Sequence, residues 1–379
     1  MSYQIYIIFT TLLGITVLIN IGFYAILFSK FAFHKAKKEK QSPQEPVSII
    51  VVAKNEAHHL INSLPLLLTQ QYNDYEVIVV NDNSDDETEE VLEDFKNRYP
   101  HLKPINLKSS VTTIKGKKFP LSLGIRVAKN NIIVLTEPYC IQVSPYWLQN
   151  MAKHYNRKTE IVLGFANYEK KKSFFNAILR FDALYKTIQN FSYALMKIPI
   201  AGDGKNLSYS KELFINHGGF TAHNHIFFGD DDLFINKAAT KENCKIEYSK
   251  DAIITVKSKF NFKFWLRQEK LKSLTRKFYS NKHKFLLRLF ESSSLLFYIF
   301  LTIALIFLPS LSLTWIIPLL VFFILKFAIQ YLIVGLSVSK LGEKKFIPYI
   351  FVYDIVYLFL YSYILLTAKW GKNNRKKWM

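Results

Sequence analysis

The sequence predicts an α/β domain with a Rossmann-like, mostly parallel β-sheet, flanked by transmembrane helices at both ends. Strand-like and helix-like patterns alternate through the middle of the chain, as in doubly wound sheets. Apolar runs of membrane-spanning length lie before and after this region. The 379 residues also include 32 Phe and 22 Tyr at a net charge of +21. So many aromatic side chains require burial, which excludes a disordered polyelectrolyte.

Residues 1–30 are predicted to form an N-terminal transmembrane anchor. From Ile5 to Phe28 the chain carries no charge for about 24 residues, enough to span a bilayer and too long for the apolar part of a signal peptide. A basic linker follows over residues 31–45. The positive-inside rule places this linker, and the region after it, in the cytoplasm.

The central region, residues 46–283, alternates predicted strands with predicted helices. Val47–Ala53 is a continuous apolar run, typical of a parallel strand buried on both faces. The other predicted elements are helices over 56–70 and 85–99 and strands over 76–80, 131–136 and 161–165. Ligands of such sheets bind beyond the carboxyl ends of the strands. The sequence has no GxGxxG motif after the first strand and no GxxxxGK[ST] motif, which argues against a dehydrogenase or a P-loop enzyme.

Residues 284–370 are predicted to contain two or three membrane helices, followed by a basic tail over residues 371–379. The apolar stretches run over 295–308, 313–338 and 346–367. Lys326 and Asp354 lie inside two of them, and ionisable groups at that depth usually face protein or water. Three crossings would put the tail outside, although its charge favours the cytoplasm. One stretch is therefore expected to be interfacial or re-entrant, and the sequence does not decide which.

Polar residues follow the first two predicted strands. Asn55 and Glu56 come just after Ala53, and Asp82 lies in the turn VVNDNSDD after the second strand. Taken alone, such a turn is also what a solvated helix cap produces. The two passages together, in this order and spacing, resemble the start of family 2 glycosyltransferases with the GT-A fold, of the membrane-anchored bacterial type. The resemblance continues to about Tyr279.

The resemblance implies a nucleotide site at these strand ends. In the family, the carboxylate matching Asp82 binds the base and the loop matching Ala53 to Glu56, with Asn55, lines the nucleotide. A carboxylate suits this task because it accepts hydrogen bonds from ring N–H groups. Glu56 can equally begin the following helix.

A lysine-rich loop, KGKKFPLSLG over residues 115–124, resembles the family's phosphate-contacting loop. By this resemblance Lys117 approaches the nucleotide diphosphate, which a cation on a glycine turn suits. Pro120 and Ser122 depart from the usual Ala and Asn. A solvent-facing lysine cluster is the alternative.

The end of the fourth predicted strand departs from the family. There the family carries Asp-x-Asp, which holds Mg²⁺ or Mn²⁺ on the diphosphate. This chain has Glu137 at the first position and Tyr139 at the second. A neutral phenol is a poor ligand for a hard cation. The resemblance therefore implies a divalent metal at Glu137, with Lys and Arg side chains or loss of catalysis as the alternatives.

The acceptor half of the site is expected further along the chain. Residues 201–209 resemble the family's G-x-G-x-NLAY segment, which assigns Gly202, Gly204 and Asn206 to acceptor binding. An ordinary glycine loop is the alternative. Gln268 matches the start of the Q-x-x-R-W motif of processive members, but Leu271 and Lys272 replace Arg and Trp. The processive interpretation is weakened accordingly.

Three consecutive carboxylates, Asp230, Asp231 and Asp232, stand at the start of a predicted helix. Helix N-termini stabilise acidic groups, so a capped, solvated terminus is the plain alternative. Three together exceed what capping requires, and their repulsion favours a raised pKa. By the resemblance, the spacing favours Asp230 as the general base, with Asp231 as the alternative if the alignment shifts by one residue, and Asp232 lies with the acceptor.

These features predict an inverting glycosyltransferase of the cell membrane, multi-pass, with a cytoplasmic catalytic domain. Its donor is expected to be a nucleotide-sugar, a UDP-sugar by preference, and its acceptor a lipid-linked or cell-envelope glycan. The first alternative is a catalytically silent nucleotide-sugar-binding membrane protein. The second is a basic nucleic-acid-binding membrane protein. Nucleic acid is not the expected partner, because much of the basic charge flanks apolar segments, where membrane orientation explains it.

Overall fold

A computed structural model of the chain describes residues 2–36, 44–108, 116–257, 260–308 and 313–368. Residues 37–43 of the predicted basic linker, Lys115 of the lysine-rich loop and the basic tail at 371–379 lie outside this description. The chain divides into a central unit, Ala36–Tyr279, and a terminal unit that joins Met1–Lys35 with Ser280–Leu366.

The helices and strands are numbered in chain order. The helices are α1 Ser2–Gly22, α2 Ser29–Ala32, α3 Ala57–Leu68, α4 Thr88–Arg98, α5 Lys118–Val127, α6 Trp147–Ala152, α7 Phe174–Leu195, α8 Lys211–Asn216, α9 Asp232–Ala238, α10 Phe262–Thr275, α11 Asn281–Phe307, α12 Ile316–Lys340 and α13 Ile350–Thr367. The strands are β1 Val47–Ala53, β2 Tyr75–Asp82, β3 Leu102–Leu107, β4 Ile132–Thr136, β5 Cys140–Gln142, β6 Ile161–Leu163, β7 Ala166–Tyr168, β8 Leu207–Ser210, β9 Cys244–Ile246 and β10 Ile254–Val256.

In the described part of the central unit, seven strands form one sheet in the order β3-β2-β1-β4-β8-β6-β9. Strands β3, β2, β1 and β4 run parallel, β8 is antiparallel to β4 and β6, and β9 is parallel to β6. Every residue of β1 is buried, as its unbroken apolar run predicts for a strand covered on both faces. The predicted mostly parallel α/β sheet is therefore confirmed.

A second, three-stranded sheet has the order β5-β10-β7 among the described residues. Strand β10 pairs antiparallel with β5 and parallel with β7. The sequence does not predict this sheet, because strands of three residues are too short to show a periodic pattern.

The helices of the central unit cover the sheet with apolar stripes. On α3, Leu60, Leu64 and Leu67 repeat at helical spacing and are fully buried against the core that contains β1 and β2. The helix begins at Ala57 and ends at Leu68, slightly inside the predicted 56–70. Packing of this kind fixes the loops that connect strand ends to helix starts, and those loops carry the polar residues of interest.

The terminal unit consists of apolar helices. In α1 and α2 the chain is helical throughout, with a π-helical segment, Phe23–Phe28, between them. By length and composition, four helices within the described residues are long and apolar enough to cross a membrane: Tyr3–Ala32, Asn281–Phe307, Ile316–Lys340 and Lys344–Thr367. Polar side chains join α1 to α11, where Asn20 Nδ2 donates to Ser293 Oγ at 3.2 Å and Asn20 Oδ1 accepts from Ser294 Oγ at 3.0 Å.

Candidate active site

The carboxyl ends of β1, β2 and β4 meet at one edge of the sheet, because these strands are adjacent and parallel. Ala53 pairs in register with Asn81, the residue before Asp82. Glu137 follows directly after the last residue of β4. Register alone therefore brings three of the predicted site segments to the same edge, where ligands of such sheets bind.

The loops after β1 and β2 are joined by hydrogen bonds through Asn55. Its backbone N–H donates to Ser84 Oγ at 2.8 Å, and its side-chain Oδ1 accepts from the Asp85 N–H at 2.7 Å. Asn55 has a φ of 56° and Asn83 a φ of 51°. Asn tolerates this left-handed conformation better than most residues, which suits both loops to tight turns. Asn55 thus shapes the predicted nucleotide loop through its backbone and side chain.

Asp82 ends β2 with its side chain 18% exposed, and Lys54 Nζ lies 3.9 Å from its Oδ2. Burial raises the pKa of the Asp82 carboxyl, and the charge of Lys54 opposes the rise. A carboxylate that is largely enclosed and salt-bridged on one oxygen can accept hydrogen bonds on the other.

Glu56 faces its own helix. Its Oε2 lies 2.6 Å from His59 Nδ1, and its backbone N–H donates to Thr88 Oγ1 at 3.1 Å. The residue immediately precedes α3. The structure therefore gives Glu56 the helix-starting position that the sequence left open, while its backbone remains part of the predicted nucleotide loop.

Lys117 joins two acidic segments. Its Nζ donates to Glu137 Oε1 and lies 3.1 Å from Asp230 Oδ2. The side chains of Glu137 and Asp230 are 12% and 6% exposed. Burial alone would lower the pKa of the Lys117 ammonium, but the charges of Asp230, Glu137 and Asp231 raise it well above its usual value. For Glu137, burial raises the pKa of the carboxyl against the opposing effect of Lys117.

The glycine segment and the acidic cluster meet at Asp231. The Gly204 N–H donates to Asp231 Oδ2 at 3.1 Å, and the Asp232 N–H donates to Asp231 Oδ1 at 2.8 Å. Asp231 also precedes α9 as its N-cap. Gly229 makes the turn into this cluster at a φ of +98°, where an added Cβ would lie 2.4 Å from a Leu233 side-chain atom. A larger residue there would be strained in its backbone and would displace the Leu233 side chain.

Asp232 is held by a different part of the chain. Its Oδ2 accepts from Thr275 Oγ1 at 2.5 Å and from Tyr279 OH at 2.7 Å. Burial, followed by the charge of Asp231, raises the pKa of the Asp232 carboxyl to about 6. The raised pKa expected for the acidic cluster therefore appears at Asp232. These contacts bind α9 to the end of α10.

Asn206 lies in the packed interior, and Gly202 is half-buried. Asn206 Nδ2 donates to the carbonyl oxygens of Phe165 and Ala252, at 2.9 and 2.8 Å, and its Oδ1 accepts from Trp147 Nε1 at 3.1 Å. An added Cβ on Gly202 would lie 3.0 Å from a Leu207 side-chain atom. Both ends of the Asn206 amide are hydrogen-bonded within the protein. Asn206 therefore stabilises the glycine segment, and its amide is not directed to an acceptor.

Gln268 lies half-buried on α10. Among the described residues it makes no hydrogen bond to the acidic cluster. Lys272, one turn further along the same helix, is exposed, and the charges of Asp203, Glu269 and Asp231 raise the pKa of its ammonium. The charge of Asp231 therefore acts on Lys272, whereas Gln268 makes no hydrogen bond to the acidic cluster among the described residues.

Two further lysines belong to this region, although no sequence motif assigns them a role. Lys118 Nζ donates to the carbonyl oxygens of His223 and Ile226, at 2.7 and 2.9 Å, which ties α5 to the loop before the acidic cluster. Lys205 Nζ lies 2.6 Å from Asp203 Oδ2, inside the glycine segment. Lys118 follows the predicted site residue Lys117, and Lys205 follows the predicted site residue Gly204. These neighbouring positions are the only signal in the sequence that could have indicated the two lysines.

The residues present do not fit the divalent cation implied by the altered Asp-x-Asp motif. Tyr139 packs its ring against His59 and Phe260, with centroids 6.0 and 5.8 Å apart, and burial followed by the charge of Glu137 raises its pKa well above the usual value. Glu137 is bound to Lys117. In the part of the chain that the structure describes, no group of three or more His, Cys, Asp or Glu residues is arranged to hold a metal ion.

Known sequences place this region in context. The family model described as glycosyl transferase family 2 matches residues 48–221. The probable glycosyltransferase YdaM of Bacillus subtilis (strain 168) is 28% identical over 135 residues, which are 35% of this chain and 29% of that protein. The beta-monoglucosyldiacylglycerol synthase of Trichormus variabilis is 29% identical over 126 residues, 33% of this chain and 26% of that protein. The chain therefore spans less than a third of the length of either relative.

Among solved structures, the chain is similar to the mannosyltransferase PcManGT from Pyrobaculum calidifontis, determined in complex with GDP-Man and Mn²⁺. The TM-score is 0.58 at 17% identity, over 94% of this chain and 99% of that chain. This likeness confirms the predicted GT-A fold.

Proposed function

We propose that this protein transfers a sugar from a nucleotide-sugar donor, with a UDP-sugar as the preferred donor, because the model of glycosyl transferase family 2 matches residues 48–221. The observation that carries the proposal is the meeting of Lys117, Glu137, Asp230 and Asp231 at the carboxyl edge of β1, β2 and β4. Asp82 at the same edge accepts hydrogen bonds from the nucleotide base, and the loop from Ala53 to Glu56, including Asn55, lines the nucleotide.

The proposed reaction is an inverting single displacement. An acceptor hydroxyl attacks the anomeric carbon, its proton passes to a carboxylate, and the bond from the sugar to the diphosphate breaks with its electron pair on the departing oxygen. Lys117 stabilises the negative charge that develops there.

Asp231 is the proposed base. Asp230 is buried and paired with Lys117, so it fixes the lysine, whereas Asp231 is only half-buried and is assigned the proton of the incoming hydroxyl. The Gly204 N–H holds the Asp231 carboxylate in place. Gly202 and Asn206 shape the floor beneath the acceptor, and Asp232 and Gln268 lie at its margins.

The proposed acceptor is a lipid-linked or cell-envelope glycan, and the proposed setting is a bacterial cell membrane, multi-pass, with the catalytic unit in the cytoplasm. Four helices of spanning length and the lysines after the first of them support this setting. A relative whose name describes a glycolipid product supports a lipid acceptor.

The test is a transfer assay with purified full-length protein in detergent, using UDP-glucose, UDP-galactose, UDP-N-acetylglucosamine and GDP-mannose with a bacterial lipid extract as the acceptor source. We expect one UDP-sugar to give a labelled lipid product of inverted anomeric configuration by NMR. The matched control is the variant Asp231→Asn, which we expect to bind UDP with transfer lowered by about 10²-fold or more. Binding of UDP by the wild type with no transfer to any acceptor would instead favour the catalytically silent alternative.

A further inference from the structure

The Lys117 ammonium lies between the largely buried carboxylates of Glu137 and Asp230. A divalent cation bound at this position would take these carboxylates as ligands. Lys117 Nζ donates to Glu137 Oε1 and lies 3.1 Å from Asp230 Oδ2. The two carboxylates come from different parts of the fold, the end of β4 and the start of α9, so only the tertiary structure brings them together. Oxygen atoms from two such groups, facing one point, are what Mg²⁺ or Mn²⁺ prefers.

The other predicted site residues with oxygen atoms are engaged as well. Both carboxylate oxygens of Asp231 accept backbone N–H groups, from Gly204 and Asp232. Asp82 lies 3.9 Å from Lys54 Nζ. Tyr139, at the position of the second motif carboxylate, packs among aromatic rings. A cation entering here would have to expel Lys117 and leave its ammonium without its carboxylate partners in a largely enclosed site, which is costly.

We propose that the Lys117 ammonium replaces the divalent cation of the site, so that donor binding and sugar transfer in this protein do not need a metal. This inference rests on the proposed function. The ammonium has three N–H donors. Two are directed to Glu137 and Asp230, and the third is available to a diphosphate oxygen, where it stabilises the charge left as the sugar departs.

The geometry of the fold supports a fixed rather than a mobile lysine. Lys117 is the residue before α5, and the next residue, Lys118, is 1% exposed and donates to the carbonyl oxygens of His223 and Ile226. An added Cβ on Gly204 would lie 3.6 Å from Lys117 Nζ, so the backbone of the glycine segment lies next to the ammonium. A cation fixed in this way needs no reorganisation when the diphosphate arrives.

The first measurement is UDP affinity of the full-length wild-type protein by calorimetry, in EDTA and across a Mn²⁺ titration. We expect the dissociation constant to change by less than about twofold, and the transfer rate likewise to persist in EDTA. A wild type whose UDP affinity rises tenfold or more with Mn²⁺ would overturn the inference. This measurement needs no variant, so it decides the question even if a substitution prevents folding.

The second measurement uses Lys117→Met, which keeps the length of the side chain and removes the charge. We expect UDP binding in EDTA to weaken at least about tenfold, and Mn²⁺ to restore it, because Glu137 and Asp230 are then free to bind the metal. Lys153→Met is the control, since it also removes a lysine from a buried carboxylate, Glu247, with Nζ–Oε2 at 2.7 Å. It should leave UDP affinity unchanged and metal-independent.

The outcomes separate the inference from the function on which it rests. If UDP binds without metal but no sugar is transferred, the transferase proposal fails while the replacement of the cation stands. If neither UDP nor GDP binds under any condition, the nucleotide-sugar function fails and the inference fails with it. If Lys117→Met binds UDP as the wild type does in EDTA, Lys117 is not the diphosphate cation.

Discussion

Lys326 of α12 and Asp354 of α13 form an ion pair inside the apolar terminal unit, with Nζ–Oδ2 at 2.8 Å. Asp354 also accepts from Tyr298 OH at 2.8 Å and from Gln330 Nε2 at 2.7 Å. The Lys326 side chain is 1% exposed, and its ammonium lies 4.0 Å from the centre of the Phe327 ring. The two ionisable residues that interrupt the apolar stretches are thus partners, which binds α11, α12 and α13 through one polar cluster.

This pairing predicts strong coupling between the two substitutions Lys326→Met and Asp354→Asn. Each alone should lower the free energy of unfolding by about 3–5 kcal/mol, because it leaves a buried group without its partner. The double variant should lose much less than the sum. The measurement is thermal unfolding of the full-length protein in detergent. Additive losses would contradict a direct interaction.

Asp82 is predicted to contribute to nucleotide affinity. Asp82→Ala should weaken UDP binding by about 1–3 kcal/mol, because donors on the base would lose a buried acceptor. Calorimetry on the full-length protein measures the effect. Asp74→Ala is the matched control, since Asp74 is exposed and precedes the opposite end of the same strand, β2. Equal UDP affinity in the Asp82 variant and the wild type would remove Asp82 from the site.

The proposed base is predicted to affect turnover rather than binding. Asp231→Asn should lower the transfer rate by about 10²-fold or more, in the range expected for general-base loss, while UDP affinity stays close to that of the wild type. Asp230→Asn should instead weaken UDP binding, because it removes one partner of Lys117. Initial rates and calorimetry on both variants distinguish the two roles. If Asp230→Asn lost turnover with intact UDP affinity, the assignment of the base would be reversed.

Tyr139 is predicted to serve packing rather than metal binding. Tyr139→Phe keeps the ring contacts to His59 and Phe260 and should retain UDP affinity and stability. Tyr139→Asp should lower the free energy of unfolding by about 2–4 kcal/mol, since it replaces a packed ring with a carboxyl beside Glu137. Thermal unfolding compares the pair. A stable Asp variant with strong Mn²⁺-dependent UDP binding would show that the site accepts the family pattern.

Asp232 is predicted to make stability depend on pH. Its pKa rises from 3.8 to about 6 on folding, so the folded chain holds the proton more tightly and loses stability as pH rises from about 4 to about 6. Asp232→Asn remains neutral and keeps an acceptor for Thr275 and Tyr279. At pH 7.5 it should unfold at a temperature a few degrees higher than the wild type, equivalent to about 1–3 kcal/mol. The difference should vanish near pH 4. A constant difference between pH 4 and pH 7.5 would contradict the raised pKa.

The helices and strands were largely readable from the sequence because burial imposes a local pattern. The unbroken apolar run Val47–Ala53 is a buried parallel strand, and the uncharged run that begins near Ile5 is a helix of spanning length. Strands β5, β7 and β10 were not predicted, because three residues are too few to show a periodic hydrophobic pattern. The strand-end residues Asp82 and Glu137 were found for the same local reason, since Asp82 ends one clearly patterned strand and Glu137 directly follows another.

The sequence by itself determined which residues end the strands and which segments are apolar, whereas the tertiary structure decided what those residues contact. Asp230, Asp231 and Asp232 are adjacent and chemically identical, yet one binds Lys117, one binds Gly204 and one binds Thr275 and Tyr279. Similarly, Lys326 and Asp354 are isolated charges in the sequence and one ion pair in the structure. Periodicity reports burial along a single helix or strand, but a pairing across 28 or 113 residues depends on how the elements pack.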